Sequence, residues 1–213
     1  MKKLILVGAG GHTKSIIDSI QSAKKYEIIG IIDKTIEDEK KEIGIIPIIG
    51  SDEMLFDLYH QQGIVNAFVS VGSIGNTTIR ERLQAQLKRI GFKMPNIIDP
   101  TAVISQKMSL TEGIFVGKGV IVNTDCVVEP MAILNTGSVI EHDCHIGRFS
   151  HISPGATLCG NVSIGDFTHV GANATIIQGV KVGQRSLIGA GSVVIHDVDD
   201  GQKIVGNPGI IMK

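Results

Sequence analysis

From Ile98 to Val194 every sixth residue is aliphatic: Ile98, Ile104, Leu110, Val116, Val122, Val128, Leu134, Ile140, Ile146, Ile152, Leu158, Ile164, Val170, Ile176, Val182, Ile188 and Val194. Four residues after each, from Cys126 on, stands a small one: Cys126, Ala132, Ser138, Cys144, Ser150, Ala156 and onward to Ser192. Glycine often follows the aliphatic residue, as at Gly117, Gly147, Gly165, Gly171, Gly183 and Gly189. A helix repeats its apolar positions about every 3.6 residues and a strand every 2. A strict six therefore means one short strand and one turn, repeated, so that the chain coils. Before this region the pattern is different. LILVGA, YEIIGIID and AFVSVG read as buried strands, and HTKSIIDSIQSAK reads as a helix with Ile16, Ile17 and Ile20 on one side. NTTIRERLQAQLKRIG reads as a second helix, with Asn76 as its cap and Gly91 at its end. Strands alternating with helices predict a small parallel α/β sheet over residues 1–97, followed by the coil and a short tail over 98–213.

Composition agrees with this division. The 26 glycines, the absence of Trp and the 4% aromatic content suit tight turns and small-residue packing. A formal charge of −1, with basic residues in no cluster larger than pairs such as Lys24 and Lys25, argues against a nucleic-acid partner. The apolar run after Met1 ends at Gly8, too early for a secretory segment, and no run approaches the roughly 20 residues of a membrane span. Three cysteines without a CxxC pattern fit a reducing compartment, so the expected location is cytoplasmic.

The period of six assigns directions to the histidines. With the aliphatic residue as i, positions i+4 and i+6 point inward, i+1 and i+5 point outward from a flat face, and i+2 and i+3 make the corner. His142 and Asp143 then share a corner, while His145, His151 and His169 project outward from flat faces. His151 falls on the face opposite His142, so the two cannot meet within one chain, and a site using both predicts a homotrimer. His151 and His169 are 18 apart and are expected to stack in adjacent coils, about 4.8 Å from each other. The same directions defeat a single-chain zinc site built from His142, His145, His151 and Cys144. A zinc at a trimer interface is the alternative, and no metal is expected. A carboxylate beside His142 favours imidazolium and moves its pKa upward from about 6.5. Asp143 would equally suit a tight turn for structural reasons alone, and Cys144, pointing inward, is expected to be core.

In the α/β region, Gly8, Ala9, Gly10, Gly11 and His12 follow a strand and open a helix, the context in which backbone amides cradle phosphate. Thr13 stands where a dinucleotide fingerprint has its third glycine, which disfavours NAD. Asp33 ends the second strand, where nucleotide-binding α/β folds place an acid, and Gly72 to Asn76 are a further candidate for the same pocket.

The hexad pattern resembles the left-handed parallel β-helix family, in which three hexads complete one triangular turn. The left hand is implied by that resemblance, because parallel crossovers are otherwise right-handed. The run ILNTGSVIEHDCHIGRFSHISPGATLCGNVSIG, together with the early GAGGH, the strand end IID and the closing VGNPG, is similar to bacterial sugar acetyltransferases related to sialic acid O-acetyltransferases. Among these it looks most like the N-acetyltransferases that modify a UDP-4-amino sugar. The resemblance implies acetyl-CoA as co-substrate, His142 as general base and Asp143 as the acid raising its basicity, with Glu141 able to substitute. It implies that His151 contacts acetyl-CoA, with backbone near Gly160, Ala172 and Ala190 lining the thioester and pantetheine path. Ala190 stands where the family often has glycine, and Asp143 where it usually has Glu. The resemblance further implies that Gly10, Gly11, His12 and Lys34 hold the uridine nucleotide, with Asp33 and Gly72 in the same region. Sugar O-acetylation by the same base, and a non-catalytic nucleotide-sugar-binding scaffold, are the competing readings.

Overall fold

The structure is a computed structural model and describes residues 1–34 and 42–212. The chain divides into two compact units, Met1–Ser73 with Thr78–Ile97, and Ile98–Lys213 with Ile74–Thr77.

The first unit is built on β1 (Lys2–Val7), α1 (Gly11–Ala23), β2 (Tyr26–Ile32), β3 (Glu42–Ile43), β4 (Ile46–Gly50), α2 (Leu55–His60), β5 (Ala67–Val69) and α3 (Thr78–Ile90). Its sheet runs β3-β4-β2-β1-β5, parallel except for the β3–β4 pair. Leu4 to Val7 are fully enclosed, as expected of a central strand covered on both faces. Ile16, Ile17 and Ile20 supply the buried side of α1. The chain pattern had not revealed β3, β4 or α2, which are short and carry no sustained period. Helix α3 starts at Thr78, two residues beyond the expected cap Asn76, and Gly91 ends it at φ 110° with its N–H on the carbonyls of Leu87 and Lys88.

The second unit is a parallel β-helix of two-residue strands in three sheets. Face I carries Phe115–Val116, Ile133–Leu134, His151–Ile152, His169–Val170 and Leu187–Ile188. Face II carries Val103–Ile104, Ile121–Val122, Val139–Ile140, Thr157–Leu158, Thr175–Ile176 and Val193–Val194. Face III carries Ser109–Leu110, Val127–Val128, His145–Ile146, Ser163–Ile164 and Lys181–Val182. Up to Val194, successive strands of a face pair in register 18 positions apart, as Ile140 does with Leu158, whereas Leu187 and Ile188 pair 16 positions on with Lys203 and Ile204.

From Val116 on, the aliphatic positions are buried and form one continuous core with the small residues between them. Ile98, Ile104 and Leu110 are only half-buried, because no coil lies beneath them. From Gly113 to Gly191 each corner turns on a residue of positive φ. Glycine takes that place at Gly137, Gly155 and Gly179, and Asp125, Asp143, Asn161 and Asn173 take it in keeping with the tolerance of Asp and Asn for the left-handed region, while Met131, Phe149, Phe167 and Arg185 occupy it without that tolerance. The glycines that follow the aliphatic residues have another cause. A Cβ on Gly147, Gly165, Gly171 or Gly183 would come within 2.4–2.6 Å of backbone in the next coil. After Val194 the period fails, and the antiparallel pair Lys203–Val205 and Ile210–Ile211 closes that end of the coil. No helix among the described residues is long and apolar enough to cross a membrane.

Candidate active site

In the α/β unit the carboxyl ends of three parallel strands, β1, β2 and β5, deliver their loops to one place, as open α/β sheets do where the connection order reverses. The result is a cavity of about 480 Å³. Gly10, Gly11, His12, Asp33, Lys34 and Gly72 all line it. Asp33 accepts a 2.5 Å hydrogen bond from the N–H of Ala9, which ties the glycine loop to the end of β2. Thr13 is buried and donates its hydroxyl to the carbonyls of Gly8 and Ser70 at 2.8 and 3.2 Å, so the residue that breaks the dinucleotide fingerprint braces the loop instead. Helix α1 has no side-chain cap and no acidic residue in its first turn.

Burial, with Arg80 adding to it, holds His12 down at about 4, so this imidazole is neutral and can only exchange hydrogen bonds with a ligand. The cations lining the cavity are Lys34 and Arg82. Arg82 pairs with Asp52 at 2.8 Å, and both residues line the cavity. Sequence reading missed this pair. Its only signal was that Arg82 sits on the polar side of a helix, where a charge is ordinarily solvated.

In the β-helix, the corner between faces II and III carries His142 and Asp143. The two side chains are 47% and 58% exposed, and His142 Nδ1 lies 2.7 Å from Asp143 Oδ2. The hydrogen bond to Asp143 raises the His142 pKa above the ordinary 6.5, desolvation opposes it, and the charges of Asp143 and Glu141 add to it. Glu141 itself accepts a hydrogen bond from Asn123 at 3.0 Å, so the shorter acid supports the imidazole and its neighbour contributes only through its charge. With Nδ1 engaged, Nε2 is the nitrogen left to take a proton. Gly160, one coil on at the same corner, is the floor of this arrangement: a Cβ there would come within 2.6 Å of His142 Cε1 and Nε2.

His151 stands on face I, away from that corner. Its position is outward, as expected, but it is not exposed: His151 and His169 are each only 8% accessible. His151 Nε2 is 3.2 Å from Asn135 Nδ2, and the two histidine rings meet edge to face at 5.0 Å. Asn135 is a second residue that the period did not single out, since it follows an aliphatic position like any other.

Ala172 and Ala190 lie at the corner between faces I and II, with Gly191 N–H on the Ala172 carbonyl at 2.8 Å. The residues named from sequence thus form two groups within one chain. His142, Asp143 and Gly160 share one corner, and His151, Ala172 and Ala190 lie on face I and the corner that follows it. His145 is exposed and lies 3.7 Å from Glu129. Cys126 and Cys144 are buried inward, each with its thiol on a carbonyl of the next turn. Among the described residues no three His, Cys, Asp or Glu side chains converge as a metal site requires.

Comparison with known proteins gives these geometries a context. Residues 3–87 match the PglD N-terminal domain, and residues 161–196 match the bacterial transferase hexapeptide (six repeats). PerB from Caulobacter crescentus, solved in complex with CoA and GDP-perosamine, is 33% identical over 100% of this chain and 98% of its own, with a TM-score of 0.92. The acetyltransferase domain of PglB from Neisseria gonorrhoeae, solved in complex with acetyl coenzyme A, is 32% identical over 99% of both chains, with a TM-score of 0.91. WeeI from Acinetobacter baumannii, 20% identical over 100% of both chains with a TM-score of 0.83, shares the fold. A PglD-type α/β unit joined to a left-handed β-helix, with the His142–Asp143 corner upon it, makes this chain a member of the hexapeptide-repeat sugar N-acetyltransferase family.

Proposed function

We propose that the chain transfers the acetyl group of acetyl-CoA to the amine of a UDP-linked amino sugar, a UDP-4-amino-4,6-dideoxy sugar, for surface glycan or glycoprotein assembly. The observation that carries the reading is the exposed His142–Asp143 pair at 2.7 Å over Gly160, in which Asp143 engages Nδ1 and leaves Nε2 as the nitrogen that can take a proton. The amine nitrogen attacks the thioester carbonyl, the carbon–sulfur bond breaks, His142 Nε2 takes the amine proton and the CoA thiolate is released, to be protonated to the free thiol. General-base assistance of this kind supplies about 10²- to 10⁴-fold. The cavity around Gly10, Gly11, His12, Asp33 and Lys34 suits the nucleotide of the acceptor, with the end of α1 and Lys34 toward its diphosphate.

His151, Ala172 and Ala190 would serve the acyl donor from a neighbouring subunit of a homotrimer, since one chain holds them apart from His142. The exposed apolar side chains of Val103, Ile121 and Val127 on faces II and III support such an interface. A GDP-linked amino sugar is the alternative acceptor that the Caulobacter relative favours.

The test is release of free CoA thiol with a panel of UDP- and GDP-linked amino sugars. Turnover with a UDP-4-amino sugar is expected, giving a product that hydroxylamine does not cleave, because an amide survives it and an ester does not. His142→Ala is expected to lose about 10²- to 10⁴-fold in kcat with unchanged melting temperature. Retention of most of the rate by that variant refutes the mechanism, and turnover restricted to GDP sugars refutes the acceptor.

A further inference from the structure

We infer that His169 is a positioning residue that fixes the imidazole of His151 and thereby sets which of its nitrogens is presented to the acyl donor. The inference rests on the reading of His151 as the acyl-donor contact.

The outward positions of face I form a column in which Phe115, Ile133, His151, His169 and Leu187 stand one above another by strand pairing. Apolar side chains satisfy this column at Phe115, Ile133 and Leu187, so the fold does not call for an imidazole at 169. The one present is poorly provided for. His169 Nε2 lies 3.4 Å from Ser153 Oγ, and Nδ1 is buried with no hydrogen-bond partner among the described residues. A polar ring held in that way costs stability that leucine would not cost. Packing therefore does not account for it.

Its contact with His151 does. The ring meets His151 edge to face, with centroids 5.0 Å apart and planes at 80°. From the preceding coil, Asn135 Nδ2 approaches His151 Nε2 at 3.2 Å. An amide nitrogen only donates, so His151 Nε2 accepts, and the proton of the neutral ring resides on Nδ1. His151 is gripped by a hydrogen bond from one coil and by a ring from the next. Burial keeps the His169 pKa below its ordinary value, so the gripping ring is neutral and does not repel a donor edge.

Nitrogen NMR of the full chain labelled at histidine tests this directly. The wild type is expected to show His151, assigned by its loss in His151→Ala, with a protonated Nδ1 and a bare Nε2. In His169→Leu the two signals should approach each other as tautomers mix, and KM for acetyl-CoA should rise about tenfold while kcat changes little. The melting temperature should hold or rise, which a merely structural histidine would not produce. His169→Phe restores a ring and should return both readouts toward wild type, and it serves as the second variant if the leucine form folds poorly. His151 signals and KM unchanged in His169→Leu overturn the proposal. If His151→Ala leaves KM for acetyl-CoA unchanged, the reading of His151 fails instead, while the NMR comparison still decides whether His169 holds its ring.

Discussion

In the coil, a Cβ added to Gly165 would lie 2.4 Å from the backbone nitrogen of Gln184, whereas one added to Gly10 or Gly11 of the α/β unit would meet nothing within 4 Å. The same residue type answers two different demands. Coil glycines let one turn of backbone rest on the next, so their reason lies inside the fold. Neither Gly10 nor Gly11 has a left-handed φ, and neither faces a neighbour among the described residues, so nothing in these asks for a missing side chain there. A ligand that comes close to the backbone is the reason proposed for them. The two environments thus set glycines required by the fold against glycines proposed to bind.

Gly165→Ala breaks the first kind. The clash is with backbone and has no flexible side chain to yield, so the coil must shift locally, at a cost of about 1–3 kcal/mol. A thermal melt should show this as a lowered midpoint, with nucleotide-sugar affinity of the folded protein unchanged. An unchanged midpoint would mean that the coils have more room than their 18-residue register allows.

Asp143→Asn probes the corner, where a turn residue is proposed to serve the chemistry as well. Asp143 has φ 61° and could be present for the turn alone, a role that Asn fills equally well. His142 must be neutral to take a proton, so the wild-type rate falls as pH drops through a pKa that Asp143 holds above 6.5. In the Asn variant the charge is gone, the pKa falls, and the acid limb of the kcat/KM profile moves to lower pH, while the plateau drops about tenfold. The melting temperature should not change. A profile that overlays the wild type would leave Asp143 as a turn residue only.

The two units also differ in how much of them could be read from the chain. The coil was legible residue by residue, because each hexad repeats the same local physics and one slip would have been visible. Its ends were not: Ile98 to Leu110 keep the period without full burial, and the closing strands abandon it. In the α/β unit the long strands and helices were legible from burial, but β3, β4 and α2 were set by what they pack against. For the site, the glycine loop, Asp33, His142 and Asp143 carried local signals. Asn135, Asp52 and Arg82 did not, because their contacts join residues 16 to 30 positions apart that share no motif. The period placed His151 outward and could not foresee that it is buried and in contact with both Asn135 and His169.

Gly11→Ala is the smallest of these perturbations and the sharpest for the contrast between the two kinds of glycine. Gly11 is the first residue of α1 and an added Cβ has open space, so the fold should lose nothing, and alanine's helical preference over glycine, at most about 1 kcal/mol, should leave the melting temperature level or slightly raised. The Cβ would instead project from the wall of the 480 Å³ cavity, where a phosphate is proposed to approach the backbone. KM for the nucleotide sugar is therefore expected to rise about tenfold with kcat and KM for acetyl-CoA nearly unchanged. Steady-state kinetics with each substrate varied in turn distinguishes the outcomes. A stabilised variant with an unaltered KM would mean that the open space at Gly11 is not where the nucleotide lies. A destabilised variant would mean that this glycine, like those of the coil, is held by the fold.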